Sequence, residues 1–303
     1  MGRENPMKVN LFTFNLLLIL LFPLVANSIT VTDFLGQKVV LDKPAQRIVA
    51  LAPHIVENIF SAGAGGKIIG VVDYCDYPEA AITIPRLGSM GSFGLEPIVN
   101  LQPDLVVIWH SGKGAEMYTK LKELGLTVYA SGPQNLEEIS KAIRDYGVLA
   151  GTEEIANEKA EHFEKKFKQL RDTYQHQRPV RSFYQVWNEP ILSINSESFV
   201  SGVISLCGGI NVFGQSPSIV PKLSIESIIA ENPEAIIASG MADERPEWLD
   251  TWKEWPNLQA VQKNNLFFVP PDLIQRHSAR ILLGAEILCE QLEEARTRGD
   301  EVP

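Results

Sequence analysis

The sequence predicts an α/β protein in which two doubly wound lobes are joined by a single long helix. Short apolar segments with strand character alternate with helical segments in both halves, which is typical of parallel sheets with crossover helices. A charged helical segment lies between the halves. One stretch of the first half is repeated in similar form in the second, and this internal repeat is called the internal echo. The 303 residues, 45% of them hydrophobic, are enough for two compact cores.

Residues 1–28 are predicted to be a cleaved signal peptide. Arg3 and Lys8 precede an apolar stretch that ends at residues 26–28, with small residues at the −3 and −1 positions that a signal peptidase reads. A membrane anchor is the alternative, but the stretch is shorter than the roughly 20 apolar residues of a span, and Asn15 and Pro23 interrupt it. We therefore expect an exported chain, located in the periplasm of a cell with two membranes.

The N-terminal lobe is assigned to residues 29–134. Its short apolar segments are typical of buried parallel strands, and helical segments separate them. The strands are expected at 48–51, 68–72, 105–109 and 127–130, and the helices at 55–62, 96–101 and 115–124. This alternation predicts a parallel sheet with crossover helices.

Residues 135–179 are expected to form a helical linker. Asn135 with Glu138 three residues later resembles a capping box, and Thr152 is the expected side-chain cap of a second helix. That helix ends before Pro179, and at about 24 residues it would span roughly 36 Å and act as a strut between the lobes. Its apolar face is assigned to Ile155, Phe163, Phe167, Leu170 and Tyr174.

The C-terminal lobe, residues 180–303, repeats the alternation of the first. Strands are expected at 182–186, 235–238 and 266–269, and helices at 200–206, 225–231 and 279–296. Trp248, Trp252 and Trp255 are spaced by four and then three residues. This spacing is more typical of an amphipathic core stripe than of a ligand-binding surface.

An internal echo relates the two lobes. Segments 95–108 and 225–238 match at a constant offset of 130 residues, each with a glutamate near the start of a short helix, a proline followed by an acidic residue, and then a buried strand. The echo favours equivalent lobes and places Glu96 and Glu226 at matching surface positions. As a pair they suggest docking points, although a carboxylate at a helix start is also a common match to the helix dipole.

The charge balance argues against a nucleic-acid partner, since 37 acidic residues outnumber 27 basic ones and no basic run offers a local exception. No nucleophile elbow, phosphate-binding loop or zinc-protease motif is found, so no catalytic residue is assigned. A secreted hydrolase that uses His54 or His277 is the remote alternative. The absence of a Cys-x-x-Cys or His-x-x-x-His spacing argues against a structural metal site.

Three cysteines are present, and in an oxidising compartment two of them would tend to pair. Spacing alone does not identify the pair. Cys207 and Cys289 both belong to the C-terminal half, whereas Cys75 lies in a tyrosine-rich loop of the other half and is interpreted as the odd thiol.

Five segments carry a resemblance to a known family. They are residues 47–53, 73–78, 95–106, 207–209 and 276–280. Over about residues 46–292 the sequence resembles the periplasmic substrate-binding proteins of ABC importers that carry cobalamin and, more broadly, siderophores and haem. The resemblance implies two Rossmann-like lobes joined by a backbone helix. It also implies a monomer that delivers its ligand to a permease and its ATPase in the inner membrane.

The resemblance further implies roles for individual residues. Cys207 and Cys289 match the disulfide of the cobalamin branch, and Glu96 and Glu226 fall at the positions that meet arginines of the permease. Tyr74, Trp109, Asp272 and Arg276 match ligand-contacting positions.

Purely structural roles are the alternative for several of these residues. Trp109 would alternatively be a core aromatic, and Asp272 could simply pair with Arg276. His54 and Trp187, on loops that leave strand ends, are added as candidate ligand contacts. Met90 is a further candidate, although it stands with Val220 and Leu273 where cobalamin binders often have tryptophan. No resident cofactor is expected, and the transported ligand is interpreted as cobalamin, with an iron–siderophore or haem as the alternative.

Overall fold

The structure is a computed structural model that describes residues 1–2, 28–89, 92–111, 114–240 and 244–300. Residues 3–27 of the expected signal peptide, and Met90, therefore lie outside the described residues. Among the helices of these ranges, none has both the length and the apolar character that a bilayer span requires.

The described chain begins with an antiparallel hairpin that the sequence patterns did not reveal. Strand β1 (Ile29–Thr32) pairs with β2 (Lys38–Leu41). The Asp33 carboxylate accepts hydrogen bonds from the backbone N–H groups of Leu35 and Gln37 in the turn, and from Ala130 at 3.3 Å. This aspartate therefore ties the hairpin to the sheet that follows.

The N-terminal sheet has four parallel strands, as the alternation predicted. Their order across the sheet is β4-β3-β5-β6. The strands are β3 (Ile48–Ala50), β4 (Ile68–Val71), β5 (Leu105–Trp109) and β6 (Val128–Ser131), and the helices are α1 (Pro53–Ser61), α2 (Leu95–Asn100) and α3 (Gly114–Glu123). Most strand residues are fully buried, because helices cover both faces of a parallel sheet.

Two helices, α4 (Glu138–Ala150) and α5 (Glu153–Tyr174), lie in the chain between the two sheets. The expected contact between Asn135 and Glu138 is present, because the N–H of Glu138 donates to Asn135 Oδ1 at 3.0 Å. In return, a side-chain oxygen of Glu138 accepts from the N–H of Gln134 at 2.7 Å. These two bonds order the turn that leads into α4, although Glu137, the residue directly before the helix, makes no side-chain capping bond within the described residues.

The expected side-chain cap of α5 is wrong. Among the described residues, Thr152 makes no capping hydrogen bond, and its buried hydroxyl has no partner there. The reason lies in the preceding helix: Gly151 adopts a left-handed backbone (φ 70°), and the N–H of Thr152 donates to Gly147 O at 2.8 Å. This bond closes the end of α4 and holds Thr152 at a ψ of 34°, away from the extended backbone of an N-cap.

The buried face of α5 is partly different from the one expected. Phe163 and Phe167 are buried as predicted, but Ile155 is 46% exposed, and the small residues Ala156 and Ala160 are buried instead. The small side chains allow a close approach to α4, where a methyl group added at Gly147 would lie 2.2 Å from the Ala156 Cβ.

The C-terminal sheet also has four parallel strands, in the order β10-β7-β11-β12. A separate two-stranded hairpin, β8–β9, leaves the end of β7. The strands are β7 (Val180–Gln185), β8 (Trp187–Asn188), β9 (Ile191–Leu192), β10 (Gly209–Asn211), β11 (Ala235–Ala238) and β12 (Leu266–Phe268). The helices are α6 (Phe199–Leu206), α7 (Ile225–Glu231), α8 (Gln259–Gln262), α9 (Pro271–Ile274) and α10 (Ile281–Asp300).

The two sheets have the same topology. In each, the first strand along the chain is second across the sheet, the next strand is at one edge, and the remaining two follow on the other side. The two segments of the internal echo occupy equivalent places, because α2 leads into β5 and α7 leads into β11. The repeat seen in the sequence therefore corresponds to a repeated supersecondary unit.

The cysteines and tryptophans of the C-terminal half belong to its core. Cys207, at the end of α6, forms a disulfide with Cys289 on α10, and Cys75 is a free, buried thiol. The Trp252 ring is 2% exposed, and its Nε1 donates to Gln185 Oε1 at 2.7 Å. The tryptophan stripe thus contributes to the core, although it lies on a 3-10 helix, Glu247–Glu254, instead of an α-helix.

Candidate functional site

A cavity of about 440 Å³ lies at the carboxyl ends of strands from both sheets. We call it the central cavity. Its N-terminal wall follows β3, β4 and β5, and its C-terminal wall follows β12. The lining residues are Pro53, His54, Tyr74, Trp109, Pro271, Asp272, Gln275, Arg276 and His277. Parallel α/β sheets place ligand sites at this edge.

The N-terminal wall presents aromatic side chains. Tyr74 is 78% exposed and has a left-handed backbone (φ 63°), a conformation that is uncommon outside glycine and that clusters at functional sites. Trp109, the last residue of β5, lies edge-on to His54, with 5.2 Å between the ring centroids. An exposed tyrosine beside a half-buried tryptophan supplies flat apolar surface for a ligand.

Two histidines meet at the seam between the walls. The rings of His54 and His277 lie 5.6 Å apart, and His277 stacks on Phe199 at 4.0 Å. Burial lowers the pKa of His54, helped by the charges of His277 and Arg276, and burial lowers the pKa of His277 to about 4. Both imidazoles are therefore neutral near pH 7. Within the described residues, His54 Nε2 and His277 Nδ1 have no hydrogen-bond partner.

Arg276 is the centre of a charged network that crosses between the walls. Its guanidinium lies 2.8 Å from carboxylate oxygens of Glu57, Asp76 and Asp272. Arg280 also contacts Glu57, at 3.2 Å. Burial opposes the charge of Arg276, but the hydrogen bonds that it donates to Asp76 and Glu57 raise its pKa. Burial of Asp76 likewise opposes ionisation, and the bond and charge of Arg276 outweigh it and lower the pKa of that carboxyl.

Helix α1 holds the C-terminal wall through two adjacent polar residues. Glu57 accepts from the hydroxyl of Ser278 at 2.5 Å. Asn58 donates to the backbone oxygen of His277 at 2.9 Å and accepts from the N–H of Ala279 at 3.1 Å. Both side chains are almost fully buried, so this junction fixes the segment that carries Arg276 relative to the first sheet.

The structure brings together five of the seven proposed ligand contacts. His54, Tyr74, Trp109, Asp272 and Arg276 all line the central cavity. His54 lies in the first turn of α1 and not on a loop, because Pro53 starts that helix. Trp187 does not line this cavity; it lies in β8, and its Nε1 donates to Glu189 O at 3.0 Å. Met90 is outside the described residues.

Three lining or supporting residues were missed from the sequence: Glu57, Gln275 and Asp76, the last of which was noted only within a family segment. The available signal for Glu57 was the polar pair at 57–58 inside the apolar face of α1, where Ile55, Val56 and Ile59 are all buried. Buried charged residues are rare unless they are paired.

The proposed docking glutamates are both exposed in the first turn of a short helix. Glu96 lies in α2 and Glu226 in α7. Hydrogen bonds from its own backbone N–H and from the side chain of Ser224 lower the pKa of Glu226. Because α2 leads into β5 and α7 leads into the equivalent strand β11, the two glutamates occupy equivalent surface positions in the two halves.

Comparison with known proteins gives a consistent result. The sequence model of the family described as "Periplasmic binding protein" matches residues 48–273. A vitamin B12-binding protein of Vibrio cholerae serotype O1 is 33% identical over 254 residues, which cover 84% of this chain and 91% of that protein.

Solved structures agree at the level of the fold. The crystal structure of the periplasmic vitamin B12 binding protein BtuF of Vibrio cholerae matches with a TM-score of 0.77 at 32% identity, covering 84% of this chain and 98% of that one. The periplasmic heme-binding protein RhuT from Roseiflexus sp. RS-1 matches with a TM-score of 0.72 at 20% identity, covering 83% and 99%. The latter shares the fold alone.

Proposed function

This chain belongs to the periplasmic binding protein family, and we propose that within it the protein captures cobalamin or a related corrinoid in the central cavity. The similarity to vitamin B12-binding proteins over most of both chains supports this ligand. The observation that carries the site is the cavity at the carboxyl ends of both sheets, with the exposed Tyr74 on its rim.

The lining of the cavity suits the chemistry of a corrinoid. A corrin is a large, mostly apolar disc with amide groups around its edge, so its site needs flat apolar surfaces and a few hydrogen-bonding groups. Tyr74 and Trp109 offer the first, and Asp272 and Gln275 offer the second. A corrinoid is larger than the cavity, so we expect the cavity to enclose only part of it.

Delivery of the ligand is proposed to use Glu96 and Glu226. Both carboxylates are exposed at equivalent positions of the two sheets, which suits docking of a monomer onto an ABC permease. We place the protein in the periplasm, exported by the signal peptide at 1–28. The family supports that location, and the Cys207–Cys289 disulfide is consistent with an oxidising compartment.

We propose a binding role without catalysis. The family is one of binding proteins. The hydrolase alternative requires a histidine that is hydrogen-bonded both to a nucleophile and to an orienting group. Instead, within the described residues, His54 Nε2 and His277 Nδ1 are buried without a hydrogen-bond partner. Nor do these residues include a group of three or more His, Cys, Asp or Glu that could hold a metal ion.

Isothermal titration calorimetry on the purified protein tests the proposal. Cyanocobalamin, cobinamide, haem and a ferric siderophore are titrated separately, and each is then added in a thermal melt. We expect both corrinoids to bind and to raise the melting temperature by mass action. Binding of haem or the siderophore with no response to either corrinoid would replace the proposed ligand with the alternative one.

A further inference from the structure

We propose that Glu57 and Asp76 neutralise Arg276 across the central cavity, so that the site selects a ligand edged with uncharged amides over one edged with carboxylates. This inference deepens the proposed function and rests on the central cavity being the ligand site. It assigns a specificity role to two residues of the N-terminal half that act through an arginine of the C-terminal half.

Carboxylates already occupy most of the hydrogen-bond donors of Arg276. Its Nη1 lies 2.8 Å from both Glu57 Oε1 and Asp76 Oδ1, and its Nη2 lies 2.8 Å from Asp272 Oδ2. The side chain is 13% exposed. A guanidinium has five N–H donors in a planar fork, and these contacts occupy at least three of them, so an arriving carboxylate would compete with carboxylates that are already in place.

The charged network around Arg276 has a net negative charge. Three carboxylates, on Glu57, Asp76 and Asp272, face the two guanidinium groups of Arg276 and Arg280, which leaves one net negative charge. Arg280 is also engaged elsewhere, because its guanidinium lies 3.8 Å from the centre of the Tyr77 ring. The network therefore repels an anion instead of attracting one.

Buried hydrogen bonds hold the Glu57 carboxylate in place beside Arg276. The Glu57 side chain is 2% exposed, and a buried carboxylate that lost its arginine partners would be strongly destabilising. Glu57 also accepts from Ser278, while Asn58 holds the backbone on both sides of that serine. Entry of a ligand is therefore not expected to release Arg276 from Glu57.

Among the described residues that line the central cavity, none besides Arg276 carries a positive charge that could pair with a ligand carboxylate. His54 and His277 are neutral near pH 7, because burial lowers the pKa of both. A carboxylate in this cavity would lose water and gain no free positive partner. A primary amide, by contrast, can donate to Asp272 and accept from Gln275, both of which line the cavity.

The test uses pairs of ligands that differ only in charge. Cyanocobalamin is compared with a monocarboxylic acid derivative in which one peripheral amide is hydrolysed, with both affinities measured by calorimetry at low and high salt. We expect the acid to bind the wild-type protein about tenfold more weakly, equivalent to about 1.4 kcal/mol, and the difference to shrink at high salt. Equal affinities for every such derivative would overturn the inference.

The matched variants locate the effect. Asp76 is 53% exposed, so Asp76→Asn should fold, and we expect it to narrow the difference between amide and acid to about threefold by freeing part of Arg276. The control is Asp250→Asn. Asp250 lies on the 3-10 helix, and its carboxylate pairs with Arg245 at 2.9 Å. An unchanged ratio in the Asp76 variant, or the same change in both variants, would contradict the assignment.

A second ligand pair separates this inference from the proposed function. Haem carries two propionates, and its dimethyl ester carries none. Absence of cyanocobalamin binding would remove the proposed ligand, and the haem pair would still test the charge rule. Tighter binding of the ester would support the rule, and tighter or equal binding of haem would contradict it.

Discussion

The two halves of the molecule share a strand order but not a chemistry. Each has four parallel strands in the same arrangement, yet the N-terminal half supplies the aromatic wall and the buried Glu57, and the C-terminal half supplies Asp272, Gln275 and Arg276. In the part of the chain that the structure describes, the disulfide lies in the C-terminal half and the cysteine of the N-terminal half is free. Repetition of the fold thus sets where a site can form, and unequal loops determine what it binds.

Removal of the disulfide should destabilise the C-terminal half more than any other change considered for either half. The disulfide closes a loop of 82 residues, and removing it through Cys207→Ser with Cys289→Ser should cost about 4.5 kcal/mol of unfolding free energy by the chain-entropy estimate. Urea denaturation measures the loss. Cys75→Ala, which removes the free thiol of the other half, is the control and should cost no more than about 1 kcal/mol. Equal losses in the two variants would show that the disulfide does not stabilise its half.

A smaller effect concerns the seam where the halves meet. Because the pKa of His277 is lowered to about 4, the unfolded chain binds a proton at this residue and the folded protein does not between about pH 6.5 and pH 4. Stability from this group is complete above pH 6.5 and falls as the pH drops, by about 2 kcal/mol between pH 7 and pH 5.

Urea denaturation across that pH range, with His277→Gln, measures this contribution. The variant should lose less stability than the wild-type protein as the pH falls. The control is His162→Gln, at an exposed position of α5. A pH slope that His277→Gln leaves unchanged would contradict a neutral histidine at the seam.

Removing an aromatic ring from the N-terminal wall should weaken ligand binding. Tyr74→Ala should weaken cyanocobalamin binding about tenfold, by the loss of one ring worth about 1.4 kcal/mol, with little change in stability because the side chain is 78% exposed. Trp187→Ala is the matched control, since this partly exposed tryptophan does not line the central cavity. Calorimetry gives both affinities, and similar losses in the two variants would remove Tyr74 from the site.

The smallest effect tests the equivalence of the halves. Glu96→Ala and Glu226→Ala should each weaken association with the permease by no more than about fivefold, as expected for one surface ion pair, and the double variant by more. Ligand affinity should not change. Binding to reconstituted permease and vitamin uptake are the measurements, and an unaltered uptake rate in the double variant would remove the docking role.

Much of the fold could be predicted because it depends on local patterns. The buried strands after Arg47 and the echo at an offset of 130 residues indicated twin parallel sheets, and the structure has them. The N-terminal hairpin was missed because its two strands bury only alternate residues and so lack the continuous apolar run of the buried parallel strands. The cap at Thr152 failed because the end of the preceding helix determines its backbone.

The candidate site was predictable only in part. Tyr74 and Trp109 follow or end strands, so their place at the edge of the sheet could be inferred from the chain order. Glu57 could not be found in this way, because its partner Arg276 lies 219 residues further along the chain. Local periodicity carries no information on which loop of one sheet will face which helix of the other.

The most direct test is a crystal structure of the protein with cyanocobalamin. We predict that the corrin occupies the central cavity, in contact with Tyr74 on one side and with the 271–277 segment on the other, and that Arg276 keeps its contact with Glu57. A corrin bound outside the cavity, or touching only one half of the molecule, would contradict the account.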